Sequence, residues 1–437
     1  MEWPLSQVSD IVVDLAVEEA YSLDNFALMS RFMLHRTRHR RFHRVTISIA
    51  PSSDECEKLY DILLNSEGIR PYVKSLFLKG PSYLELPYMF TQAPLGETSW
   101  DATKYAALVS LTELLPALEE FHIEHFSRTH LPHEFLSQLK KCTSVNKITL
   151  HNIAFSSYSA FASIIRAFPS LEVLRLKLVS ANSDSESRID VQDDAMVPTI
   201  GTLDIDLSEE LVLRMCGDIC EGADAPVSGA QLHTLRIGCI KAISHWDRAR
   251  CIVQKSVTTL RNLQLGYIQT DTSGLGILPL PSLKHLHIHL NDFEEDKDVD
   301  VLRWWIRCFK DATASSVCLE KITITLRAYS HIYHEYQASD LTAMLSMKEE
   351  TRILKYWFNI KKPKEEVFQD DVWCELDACL PLLTDGLVII FTGAKAKDPC
   401  DDAEDPFKKR VDRLKEIIGG RMNRFKKGGG VLVFELV

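Results

Sequence analysis

One short phrase, apolar-x-x-apolar-x-apolar, returns ten times along the chain and limits the fold more than any other feature. Its clearest copies are Leu171/Leu174/Leu176 and Leu283/Leu286/Ile288. With conservative exchanges it recurs at Phe42/Val45/Ile47, Val73/Leu76/Leu78, Leu118/Phe121/Ile123 and Val145/Ile148/Leu150. Further copies are Ile200/Leu203/Ile205, Leu232/Leu235/Ile237, Leu260/Leu263/Leu265 and Leu319/Ile322/Ile324. The last two apolar positions alternate, so they point to one side of a short strand. The first sits at the strand entry, beside the preceding turn. A strand this short cannot bury its apolar side alone; stacking each unit on the next covers it and yields a parallel sheet.

Successive phrases begin 31, 45, 27, 26, 29, 32, 28, 23 and 36 residues apart. Most of these gaps lie near the period of leucine-rich repeats, roughly 20–29 residues, with insertions. The linking stretches carry helical spacing. Cys56, Leu59, Tyr60 and Leu63 form one set, led by Ser52 and Glu55 at capping-box spacing. Phe161, Ile164, Ile165 and Phe168 form another, closed by Pro169, and Phe135, Leu136 and Leu139 a shorter third. The expected fold class is therefore α/β, a leucine-rich-repeat-like solenoid: a curved parallel sheet with helices on its outer face. An ordinary doubly wound sheet is the competing architecture. Strict leucine-rich repeats carry Asn or Cys three residues after the last strand apolar. Here that slot holds Pro81, Ile153, Val179, Ile240 and Ile268, so no Asn ladder is expected.

Residues 3–49 differ from the rest. Val8, Ile11, Val12 and Leu15 keep helical spacing, as do Phe26, Met29 and Met33. The run from Ala27, Leu28, Met29 and Ser30 through Arg31, Phe32 and Met33 leads into a basic connection and then Phe42-His43-Arg44-Val45. This stretch resembles the second half of an F-box as found in fungal F-box proteins. Gly68-Ile69-Arg70-Pro71-Tyr72-Val73-Lys74-Ser75-Leu76-Phe77-Leu78 looks like the first full repeat of those proteins. The resemblance implies a small helical domain that docks the adaptor subunit of a cullin-type ubiquitin ligase through Leu5, Val8, Ile11, Leu28, Met29 and Phe32. It further implies repeats that hold a protein target, with no chemistry in this chain. An F-box usually opens Leu-Pro-x-Glu; here the order is Pro4-Leu5, Val8 stands near the place of the acid, and Phe32-Met33 replaces the usual Trp region. The other reading of residues 3–49 is a helical cap on the end of a repeat array that binds proteins without a ligase.

Net charge is −11, which argues against a general nucleic-acid binder and against attraction to anionic membranes. Nine Lys, Arg and His residues fall between Arg31 and Arg44, and a solvated helix face and turn explains them best. The opening Met1-Glu2-Trp3-Pro4-Leu5 lacks a basic region followed by an apolar core, so no leader is expected. No apolar run approaches the ~20 residues of a membrane helix. Eleven dispersed cysteines without a CxxC pair read as reduced thiols in an intracellular protein, cytoplasmic or nuclear.

The solenoid proper is expected over 50–339, with loops at 80–100, Ser180–Val197, Gly222–Ala230 and Asn291–Asp300. Residues 340–437 read as atypical closing repeats. Leu341, Met344 and Leu345 suggest a helix there, Lys361–Asp370 a charged connector, and Trp373, Leu376, Asp377 and Leu380 another helix. A strand at Gly386 follows, then a helix marked by Val411, Leu414, Ile418, Met422 and Phe425, and a last strand at Val431–Leu436.

Residues between the core apolars face the open, concave side. They include Glu120, His122, Glu124, Lys147, Thr149, His151, Arg175, Lys177, Asp204, Asp206 and Arg236, then His285, His287 and His289. Such faces serve protein partners. In His285-x-His287-x-His289 the strand period puts three imidazoles on one face, neighbours ~7 Å apart. Two of them can share a zinc completed by Asp292 or by His122 and Glu124, or the strand is a pH-sensitive binding face. Solvated polar positions are the ordinary explanation, and no metal ligand or cofactor is assigned. Gly-x-Ser-x-Gly, a phosphate-binding glycine loop and His-Glu-x-x-His are all missing, so no enzyme is expected, the remaining alternative being a metal-dependent enzyme that uses the histidine strand.

Overall fold

Three apolar positions per phrase, repeated at intervals of 23 to 45 residues, fold into strands that pair in sequence order. The computed structural model describes residues 31–49, 53–80, 102–126, 138–139, 141–155, 157–181, 197–206, 210–221, 225–280, 282–290, 297–314, 319–327, 371–384, 386–392 and 406–436. Two compact units divide the chain, Met1–Leu232 and His233–Val437.

The first unit carries strands β1 (Arg44–Ser48), β2 (Ser75–Lys79), β3 (Glu120–Phe126), β4 (Lys147–Phe155), β5 (Val173–Ala181) and β6 (Thr202–Ile205). Each pairs in parallel with the next. Its helices are α1 (Arg31–Phe42), α2 (Glu55–Asn65), α3 (Ala102–Glu113), α4 (Tyr158–Arg166) and α5 (Glu210–Glu221). The second unit carries β7 (Thr234–Ile240), β8 (Asn262–Ile268), β9 (His285–Leu290), β10 (Lys321–Arg327), β11 (Gly386–Thr392) and β12 (Val431–Leu436). These also pair in parallel and in order. Its helices are α6 (Ile243–Lys255), α7 (Lys297–Ala314), α8 (Val372–Cys379), α9 (Pro406–Arg421) and α10 (Asn423–Lys427). This in-order parallel α/β arrangement is the one expected from the repeated phrase.

The phrase explains the core. Its three positions are buried in every copy from Val73/Leu76/Leu78 to Leu319/Ile322/Ile324. Each such side chain contributes about 1.5–3 kcal/mol by leaving water. Helices cover the apolar sides: Phe161, Ile164 and Ile165 on α4, Trp246, Ile252 and Val253 on α6, and Leu302, Trp305, Ile306 and Phe309 on α7 are buried. The strand entries repeat a second device. One carbonyl just before each strand accepts two amides of the next repeat: Lys74 from Glu119 and Glu120, Glu119 from Asn146 and Lys147, Asn146 from Glu172 and Val173. In the second unit His233 does this for Arg261 and Asn262, and Arg261 for Lys284 and His285. The first apolar of each phrase is thus anchored one residue from a shared hydrogen bond.

The slot that holds Asn in strict repeats is here an apolar ladder. Phe126, Ile153 and Val179 pair side by side and are buried, as are Ile240 and Ile268. Reaching that slot requires a break in the strand alternation. Two outward residues separate Ile123 from Phe126, Leu150 from Ile153 and Leu176 from Val179. The second of each pair, His125, Asn152 and Leu178, has φ of 64°, 54° and 54°. Left-handed backbone costs a residue with a Cβ roughly 1–2 kcal/mol, least for Asn and its like. In the second unit glycine takes the first of the two positions, Gly238 before Cys239 and Gly266 before Tyr267, and a Cβ on Gly266 would lie 1.7 Å from the Gly238 carbonyl oxygen. At Gly80 it would lie 2.2 Å from that of His125.

Several local expectations are corrected. The Ser52/Glu55 capping box does not form, because α2 begins at Glu55 itself; the Glu55 carboxylate accepts from the Ser48 amide at 2.6 Å. The first strand is Arg44–Ser48, Phe42 being the last residue of α1. The acidic loop placed at Asn291–Asp300 is helical from Lys297. The helix marked by Val411 to Phe425 is two, α9 and α10, parted at Met422, whose ψ of 46° leaves the helical range. Residues 1–30, most of the loops at 80–100 and 180–197, the 341–345 helix and the 361–370 connector lie outside the described residues. Among the described residues no helix is long and apolar enough to cross a membrane.

Candidate functional site

In the first unit, parallel register sorts the outward residues into three rows. The entry row is Arg44, Ser75, Glu120, Lys147. The middle row is Thr46, Phe77, His122, Thr149, Arg175, Asp204. The exit row is Ser48, Lys79, Glu124, His151, Lys177. Glu120, His122, Glu124, Arg175, Lys177 and Asp204 therefore share one face, while Asp206 follows β6, its amide donating to the Leu176 carbonyl.

The rows are bound across strands. Lys147 Nζ lies 2.7 Å from Glu120 Oε1, and the Ser75 hydroxyl donates to Glu120 Oε2 at 3.1 Å. Burial works against the Glu120 carboxylate, but these donors outweigh it and hold it below its ordinary range. Arg44 sits 3.7 Å from the Phe77 ring centroid, and Phe77 stacks on His122 at 4.7 Å. Burial lowers the His122 imidazole, against the pull of Glu124. Glu124 is likewise opposed by burial but kept ionised by Lys79, 3.3 Å away, and by the neighbouring histidines. His151 is lowered by burial, then by Lys177 and His125. Arg175 faces Asp204 at 3.9 Å. These ion pairs are partly solvated and contribute roughly 0–1 kcal/mol each to stability; their effect is to order the face. A depression of about 310 Å³ opens among Arg44, Phe77, Glu120, His122, Lys147, Thr149 and Arg175. With Glu120 paired to Lys147, Arg44 and Arg175 beside an aromatic plate suit acidic and planar side chains of a protein.

In the second unit the outward residues are Arg236 on β7, Gln264 on β8, the three histidines of β9, and Lys321 and Thr325 on β10. The histidines do not converge on a common point. His285 is exposed and lies 3.2 Å from Glu320. The His287 and His289 rings stack at 4.2 Å, but His287 Nε2 meets the Thr325 hydroxyl at 2.7 Å and His289 Nε2 meets the Gln264 amide at 2.9 Å. Burial, then His289, Arg236 and Lys321, push the His287 imidazole down to about 4, and burial lowers His289. The Nε2 atoms of His287 and His289 are thus directed to different partners on neighbouring strands. Asp292 lies outside the described residues.

Alternation assigned the expected face but passed over Arg44, Phe77 and Lys79, which the same rule places outward, and His125, which it does not. Of the expected adaptor-docking residues, Leu5, Val8, Ile11, Leu28 and Met29 lie outside the described residues, and Phe32 falls within α1.

No protein-family model matches the sequence, and no curated protein matches it. Among solved structures, a chain of the crystal structure of the Rad7 and Elc1 complex in yeast is similar at 12% identity and a TM-score of 0.36. The match covers 91% of this chain and 92% of that one.

Proposed function

We propose that this chain is a non-enzymatic protein-binding receptor whose polar sheet face holds a protein target. The observation that carries the reading is the set of three in-register rows on β1 to β5, ordered by cross-strand ion pairs around one aromatic plate. A face of this kind recognises by shape and charge, and mixed sign favours one complementary partner over many. The resemblance of residues 27–45 to an F-box supports a second surface, which would dock a ligase adaptor through Leu5, Val8, Ile11, Leu28, Met29 and Phe32. Two surfaces on one chain raise the target's effective concentration at the ligase. Such a protein acts in the cytoplasm or nucleus. The reversed Pro4-Leu5 and Val8 favour a second reading, a repeat scaffold without a ligase role.

Co-purification with the adaptor of a cullin-type ligase separates the two. A version lacking residues 1–30 retains α1 and β1, so β2 keeps its strand neighbour. Binding by the full chain and not by the truncated one supports the receptor. Absence of binding by both sinks the adaptor role and leaves the scaffold.

A further inference from the structure

We propose that Glu124, His125 and His151 form a binding site for a divalent transition metal of the zinc class. One donor atom from each lies within 4.8 Å of the others. Glu124 Oε2 is 3.8 Å from His151 Nδ1, and the His125 and His151 ring centroids are 5.5 Å apart.

The backbone break makes this possible. In an unbroken strand neighbours point to opposite faces, so Glu124 and His125 would not serve one ion. With Ile123 and Phe126 both in the core and His125 at a φ of 64°, both side chains turn outward. Parallel register then sets His151 of β4 directly beside Glu124. Ligands bound to zinc at ~2.0–2.1 Å in a tetrahedron stand about 3.3 Å apart. The three donors must close by roughly 1.5 Å at most, a side-chain rotation open to half-buried residues. Two imidazoles with one carboxylate suit zinc and its transition-metal neighbours better than calcium or magnesium.

The surroundings fit. Lys79 opposes a cation here, but it lies against Glu124 Oε1 and leaves Oε2 toward the histidines. Lys177 also opposes it, beside His151 in the next strand. On the favourable side, His122 Nε2 lies 3.4 Å from Glu124 Oε2, at the spacing of a fourth ligand. The Asn152 side-chain amide is 3.1 Å from His125 Nδ1. Turned to present its oxygen, it accepts the Nδ1 proton and leaves Nε2 for the metal, an outer-sphere role common at such histidines. The remaining coordination position takes water, His122 or a side chain of a docked protein.

The test loads the full chain with Co2+ and then displaces it with Zn2+. One equivalent of Co2+ giving the visible absorption of a four- or five-coordinate site, displaced by one equivalent of Zn2+, supports the proposal. The absorption is lost in the double variant His125→Asn, His151→Gln. Asn tolerates the left-handed backbone at residue 125, so an unchanged apo unfolding midpoint shows that the variant folds. Asn152→Ala weakens binding about tenfold, the scale of outer-sphere losses. His287→Gln with His289→Gln leaves binding unchanged. Absence of any Co2+ absorption, its survival in the first double variant, or its loss in the second instead would overturn the site.

Discussion

Acid destabilises the second unit through His287. Its imidazole is pushed down to about 4 by burial and by His289, Arg236 and Lys321, against an ordinary value of 6.5. The unfolded chain therefore takes up a proton first as pH falls. Stability from this group is fully present above about 6.5, is lost between 6.5 and 4, and falls no further below, where both states are protonated. At 1.36 kcal/mol per pH unit the ceiling is about 3.4 kcal/mol. Partial solvent access to the ring reduces this to about 1–2 kcal/mol. His289 is lowered too and acts with the same sign. The perturbation is His287→Gln, which removes the titration while keeping a group able to meet Thr325. The assay is urea unfolding at pH 7.5 and 4.5, followed by tryptophan fluorescence. Trp246, Trp304, Trp305 and Trp373 all lie buried in the second unit and report its unfolding. Between the two pH values the unaltered chain should lose about 1 kcal/mol more than the variant. Titrating groups that do not touch His287 cancel in that difference. Equal losses would refute the reasoning.

Two further outcomes are expected. Asp377 on α8 is buried and accepts from the Arg424 and Phe425 amides, both at 2.8 Å, at the start of α10. Asp377→Ala leaves both amides without that acceptor and should cost about 3 kcal/mol, with Asp377→Asn between, read from the urea midpoint. Leu178 is 42% exposed at a φ of 54°, so Leu178→Asn relieves a strained backbone without opening a cavity. It should stabilise the first unit by roughly 0.5–1 kcal/mol, and an unchanged or lower thermal midpoint counts against the strain.

The core was legible because it rests on period. Leu171, Leu174 and Leu176 are buried at 1%, 0% and 1% exposure, and the same holds for nearly every copy of the phrase. Helix α7 was passed over although Leu302, Trp305, Ile306 and Phe309 keep helical spacing, because the acids before it read as a loop. Acids at a helix start suit its dipole, so the same residues fit either reading. The site was legible only where alternation holds. Glu120, His122, Glu124 and Arg175 follow from it. His125 does not, since counting by twos from Ile123 assigns it to the core. The histidines of β9 share a face as the period requires, but the direction of each imidazole is set by Thr325, Gln264 and Glu320 on neighbouring strands. Those partners come from register, which a single strand's sequence does not contain.

The exchange of an Asn slot for an apolar one has a chemical consequence. Phe126, Ile153 and Val179 fill that slot from inside, so the residue before each must turn outward together with its predecessor. Every such repeat then presents two adjacent side chains on the polar face instead of one. Where the neighbouring backbone approaches closely, as at Gly80 beside the His125 carbonyl, the second position admits only glycine and adds nothing to the face. Where it does not, the position holds His125, Asn152 and Leu178. The polar face of β3 and β4 thus gains an imidazole and an amide that the repeat phrase does not encode. These stand beside Glu124 and His151, so the chemistry of the face is concentrated where the strand alternation fails.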